Sequence, residues 1–167
     1  MTRHWLTLGI PAVYAWIAAV AFSAIAVETI IIYPNVFHDV PASLGEASAF
    51  FEVTGPADFF RPLGAATIVA AVASTVLVWR VRAARWWIVG SLLTLIFGEF
   101  LFSALYFWPR NEMMFTEGAA VHSSEVLRRA ATEFETGHRG RLAMSAVTAG
   151  AAFVGFLRVY RDRLVRA

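Results

Sequence analysis

Glu28 and Glu99 are carboxylates set inside apolar runs. An ionisable group there is costly and normally faces a bundle interior or a wet cavity, so it has either a partner or a task. Glu28 sits in "SAIAVETIIIYPNVFHDVP", five residues before Tyr33, roughly 7 Å below the end of its run. Glu99 lies nine residues before Trp108, roughly 13 Å deep on the same side. His138 and Arg141 open the last apolar run on that side, Arg61 opens the second, and Asn111 follows the third. Together they can build one polar pocket. Glu28 or Glu99 would remove a proton from an acidic carbon. His138 would relay it or bind a metal, and Arg141 with Asn111 would stabilise the oxyanion formed. The bland alternative is a structural ion pair between Glu28 and Arg61 or Arg141, with Glu99 a protonated carboxyl bonded to a neighbouring helix.

Metal chemistry is the other option. Glu28, His38, His122 and His138 are the available donors for a transition metal. Di-iron bundles need two Glu-x-x-His pairs, and the chain has one such spacing, Glu135 to His138; it has no cysteine, which excludes disulfides and thiolate ligands. No cofactor is specified, and a metal remains an alternative.

The elements that must position these groups are membrane helices. Hydrophobic residues make up 59% of the 167, and charged residues only 16%, too few for the surface of a soluble domain. Four apolar runs are each long enough, or nearly so, to cross about 30 Å of hydrocarbon. They predict spans over about 6–32, 60–80, 86–108 and 139–160 in a single domain. Backbone groups in lipid must be bonded internally, so the fold class is all-α: a four-transmembrane-helix bundle. "AIA" at 24–26 resembles a signal-peptidase site, but the apolar run continues past it. Small residues at Ala66, Ala70 and Ser74, and at Ala146, Gly150, Ala151 and Gly155, predict helix contacts.

A long outer loop joins spans one and two. Pro41 followed by "ASLGEASAFFEV" predicts a short helix there, with Phe50 and Phe51 on the membrane surface or over the bundle. Ser123 or Ser124 starts a helical outer extension that runs on into span four, although Gly137 and Gly140 weaken it. Leu127, Ala130, Phe134, His138, Arg141 and Ser145 recur on one face of that helix. All 14 basic residues are Arg. Arg3, Arg80, Arg82, Arg85, Arg158, Arg161, Arg163 and Arg166 flank one side of the spans. The positive-inside rule puts both termini in the cytoplasm and the pocket outside. The arginines form no single surface, so nucleic acid is not an expected partner; lipid and a lipophilic small molecule are, and a homo-oligomer is compatible.

The chain resembles the anthrone oxygenase-like family of small four-helix membrane proteins. An acidic residue and "YPN" end the first span, "FRPLG" opens the second, "WPRN" follows the third, and "HRGR" leads into the fourth. These features extend over nearly the whole chain. Phe134, His138 and Arg141 match the family's pattern at the start of the last span, without its usual Trp. The resemblance implies a bacterial inner-membrane protein in which Asn111, His138 and Arg141 are functional, and an oxygenase acting on a lipophilic aromatic substrate. Catalytic candidates are thus Glu28, Glu99, His138 and Arg141. Substrate contacts would come from Asn111, Arg61, Tyr33, Asn35, Tyr106 and Phe134. A non-catalytic transport or binding protein, or a structural subunit of a membrane complex, stands as the rival reading.

Overall fold

The computed structural model describes residues 2–166, with side chains from Trp5 to Val165. The side chains of Arg3 and Arg166 therefore lie outside the described residues. Helices account for nearly all of these residues, and no strand occurs among them. Helix α1 (Thr2–Val27) continues through a π-helical turn, Glu28–Ile32, into Tyr33–Val36. Helix α2 (Ala42–Phe50) starts directly after Pro41, as its sequence predicts. Helix α3 is Pro56–Val78. Helix α4 (Arg82–Leu93) runs on, in π-helical and α-helical stretches, as far as Val121. Helix α5 is the unbroken Ser124–Arg166. Four of the five are long and apolar enough to cross a membrane: Trp5–Val36, Pro56–Val78, Arg82–Val121 and Ser124–Val165.

The helix of the expected third span continues past Trp108. Trp108–Pro109 does not end the helix, because the backbone widens just before the proline. Trp108 N–H bonds to the carbonyl of Ser103, five residues back. Tyr33, before Pro34, does the same to Glu28. A proline ring inside an α-helix clashes with the carbonyl four residues earlier. A π turn moves that carbonyl aside and lets the helix pass on. Glu28 opens one such turn, and Glu99 lies within another, Thr94–Leu101.

Neighbouring helices run antiparallel. Thr29 of α1 meets His138 of α5 at one end, and Thr7 hydrogen-bonds Arg163 at the other. Between α4 and α5 the close approaches are Gly137 on Tyr106, Gly98 on Met144 and Gly155 on Ile88. The small-residue stripes were read partly out of register. Thr67, Ala71, Ser74 and Val78 line the buried face of α3, while Ala66 is exposed. On α5 the buried face is Ser145, Thr148, Ala152, Gly155 and Val159, with Ala146 and Gly150 outward.

Two apolar cores result. One joins Tyr14, Ala18, Ala71, Ile88, Leu95 and Ala152. The other joins Val36, Leu44, Phe107, Met114, Leu127 and Phe134, and seats α2 over the bundle. Arg128 Nε donates to the Val40 carbonyl at 2.9 Å and pins the first loop to α5. Phe50 does not share in this packing; it is 81% exposed.

Candidate functional site

Along α1, α4 and α5 the buried ionisable residues Glu28, Glu99 and His138 fall between the two cores. Glu28 and Glu99 are each 7% exposed, and His138 is 0% exposed. The expected open pocket is therefore a packed cluster in this structure. A groove of about 690 Å³ lined by Leu6, Thr75, Trp79 and Arg80 lies at the opposite end of the bundle and contains none of these groups.

His138 is held from both sides. The Thr29 hydroxyl donates its single proton to the Ile25 carbonyl, 2.6 Å away, as helical threonines can. The same oxygen lies 2.7 Å from His138 Nδ1. It must accept there, so Nδ1 carries the imidazole proton and Nε2 presents a lone pair. Arg141 Nη1 donates to that Nε2 at 3.3 Å. Glu28 Oε2 stands 3.7 Å from it. Rings enclose the imidazole: Tyr33 at 4.5 Å and Phe107 at 5.4 Å edge-on, and Phe134 stacked at 5.7 Å between centroids.

The Tyr33 hydroxyl donates to Glu28 Oε1 at 3.2 Å. Glu28 Oε2, Glu99 Oε1 and Arg141 Nε are buried with no hydrogen-bond partner. Most buried polar atoms in proteins have one, so three orphans in one region mark a place built for something further. Arg141 lies within electrostatic reach of both carboxyls, and its guanidinium also sits over the rings of Phe60 and Phe107, at 5.5 and 5.8 Å. Ser145 and Thr148 of α5 face Glu99. Gly98 allows this approach, since a Cβ there would come within 2.5 Å of Met144 Cε.

Glu28, His138 and Arg141 thus come together, along with Tyr33 and Phe134, while Glu99 is linked to them only by lying within electrostatic reach of Arg141. The other candidates do not join them. Arg61 and Asn111 are exposed, as is Asn35, whose side chain donates to the Ile31 carbonyl at 2.7 Å. Tyr106 packs beside the cluster against Gly137 and gives its hydroxyl proton to the Glu133 carbonyl at 2.9 Å. His38 bonds the Asn35 carbonyl at 2.7 Å, and His122 pairs with Glu117. The suggested metal set is therefore scattered. Only Glu28 and His138 meet, and no group of three or more His, Asp or Glu among the described residues has the arrangement to hold an ion.

Sequence reasoning missed Thr29, although a hydroxyl next to an intramembrane carboxylate was a usable signal. It also missed the hydroxyls beneath the cluster. Thr148 Oγ1 donates toward Thr94 Oγ1 at 3.0 Å and the Met144 carbonyl at 3.1 Å. Tyr14 and Ser91 share a hydrogen bond of 2.6 Å, and Ser91 donates to the Thr148 carbonyl at 2.7 Å.

Compared with known proteins, the chain matches no family model, no curated protein and no solved structure.

Proposed function

We propose that the Glu28–His138–Arg141 cluster is the active site of a membrane enzyme that deprotonates a lipophilic aromatic molecule and lets oxygen add to the carbanion. The observation that carries this is the free oxygen of Glu28. A buried carboxylate oxygen with no partner, beside an imidazole lone pair and a guanidinium, is a base next to an anion holder. The aromatic side chains around His138 suit a flat apolar substrate, which would enter by displacing Phe or Tyr rings.

For an anthrone the balance closes without a cofactor. Glu28 takes one proton from the ring methylene, and the delocalised carbanion adds oxygen to give a peroxide. The peroxide takes up a proton, and loss of water leaves the ketone. Arg141 faces the oxyanion, and His138 carries protons through Nε2. The resemblance to anthrone oxygenase-like proteins supports this substrate class, and the arginine distribution supports a site on the outer side of a bacterial inner membrane.

The test is oxygen uptake by the purified protein in liposomes given an anthrone, with the quinone product followed by absorbance. Uptake is expected in the wild type and not in Glu28→Gln. Equal rates with both proteins would remove the enzyme reading; proton-coupled flux in the same liposomes would replace it with transport.

A further inference from the structure

The end of the bundle away from the buried cluster carries most of the arginines. Arg3 precedes the first span, Arg80, Arg82 and Arg85 lie at the turn between α3 and α4, and Arg158, Arg161, Arg163 and Arg166 end α5. Asp162 is the one acidic side chain in residues 1–27, 62–98 and 142–167 together. The ion pairs Arg110–Glu133, Arg129–Glu133, His122–Glu117 and His138–Glu28 lie at or beyond the buried cluster. Among the described residues, Arg80, Arg82, Arg158 and Arg161 join no ion pair. Guanidiniums with so few carboxylates to balance them attract anions from outside the chain.

A groove of about 690 Å³ opens at this end, between the first turns of α1 and the last turn of α3 with the residues that follow it. Leu6, Thr7, Val76, Leu77, Trp79 and Arg80 line it. Helix α3 runs toward Arg80, so Val76 lies one turn, about 6 Å, nearer the middle of the bundle. Apolar walls there give way to a guanidinium at the tip. Leu6 is 50% exposed and Val76 70%, so no other described part of the chain covers those walls. The exposed indoles of Trp5, Trp79, Trp86 and Trp87 mark the same end. Indoles gather where hydrocarbon meets headgroups, which puts Arg80 at headgroup depth and Val76 in hydrocarbon. A second guanidinium reaches the groove from α5, because Arg163 Nη2 donates to the hydroxyl of Thr7.

We propose that this groove binds one anionic phospholipid, with an acyl chain along Leu6, Val76 and Leu77 and the phosphate against Arg80 and Arg163. A groove that is apolar toward the middle of the bundle and cationic at its tip matches a molecule with hydrocarbon at one end and a phosphodiester at the other. A free anion gains nothing from the apolar wall, and a zwitterionic lipid brings its own cation to a place that already has too many. The planar guanidinium suits the phosphate, since it can give two parallel hydrogen bonds to its oxygens. None of these residues belongs to the buried cluster, so the lipid site stands or falls apart from the enzyme reading.

Thermal melts of the full chain in neutral detergent, titrated with phosphatidylglycerol, phosphatidylcholine or inorganic phosphate, test this. Phosphatidylglycerol should raise the melting temperature saturably, and the other two should not. Arg80→Gln should weaken the phosphatidylglycerol midpoint about fivefold, the contribution of one arginine at an anionic lipid surface. Arg161→Gln makes the same change of charge outside the groove and should weaken it less than about twofold. Val76→Trp should fill the apolar wall and weaken it as well. Arg80, Val76 and Arg161 are all exposed, so the three variants should melt close to the wild type without lipid. No response to phosphatidylglycerol, an equal response to phosphatidylcholine or phosphate, equal losses in the two arginine variants, or a wild-type response in Val76→Trp would each overturn the site. A melting temperature that follows protein concentration and not lipid would give the groove to a second copy, and would overturn it too.

Discussion

Thr29 fixes the tautomer of His138. Its one proton goes to the Ile25 carbonyl, so its oxygen accepts from Nδ1 at 2.7 Å and Nε2 is left to face Glu28 and Arg141. Thr29→Val keeps the shape but removes the acceptor. A buried N–H left alone costs roughly 1 to 3 kcal/mol, and the ring gains reason to swap its proton to Nε2. The expected outcome is a lower melting temperature and a larger fall in turnover, about tenfold or more for a misplaced proton. Thr29→Ser should retain most of both. Nitrogen-15 shifts of the imidazole check the tautomer directly, and an Nε2-protonated wild type would contradict the assignment.

His138→Ala is a poor functional probe. The side chain is fully buried and stacked among Tyr33, Phe107 and Phe134, so its loss opens a cavity worth about 2 to 5 kcal/mol, by analogy with large-to-small core changes. Thermal melts in detergent should show a clear loss. Glu28→Gln, with no comparable cavity, should lose turnover out of proportion to stability.

Gly137 and Gly140 lie three residues apart and should respond in opposite directions to alanine. A Cβ on Gly137 would stand 2.4 Å from Tyr106 Cε1, whereas nothing lies within 4 Å of one on Gly140. Gly137→Ala should destabilise by about 1 to 3 kcal/mol through overpacking. Gly140→Ala should stabilise by up to about 1 kcal/mol through helix propensity. Adding Tyr106→Leu to the first should recover part of its loss. Melting temperatures of the four proteins test this, and equal effects at the two glycines would contradict the packing of α4 on α5.

Reporter fusions test the proposed orientation. Those at Arg82 and after Arg166 should read cytoplasmic, and those at Glu46 and Glu117 external. Glu46 on the inside would place the site on the cytoplasmic half.

The helices were legible because lipid imposes a long apolar run on each. The face of α5 was legible as well: of Leu127, Ala130, Phe134, His138, Arg141 and Ser145, spaced three and four apart, all are buried except the half-buried Arg141. What failed was phase. The π turns before Pro34 and Pro109 rotate the chain by an extra residue, and no apolar count registers that. Asn35 and Asn111, each just past such a proline, were expected in the site and are exposed. Hydroxyl partners were hidden for another reason. Thr29, Thr94 and Thr148 lie in apolar runs where threonine usually bonds its own helix, and only the tertiary structure shows which of them also serve a neighbour.

Helix α5 is one rod. Its 43 residues extend about 64 Å at 1.5 Å per residue, roughly twice the hydrocarbon thickness of about 30 Å. No proline interrupts it, and its first turns are clamped by Arg128 to the loop that carries α2. A rod of this kind behaves as a lever. A tilt at the end held by α2 swings the far end, where Arg163 meets Thr7, the opposite way. His138, Arg141 and Ser145 lie between these two attachments, so a tilt imposed at either end passes through the turns that carry the buried cluster.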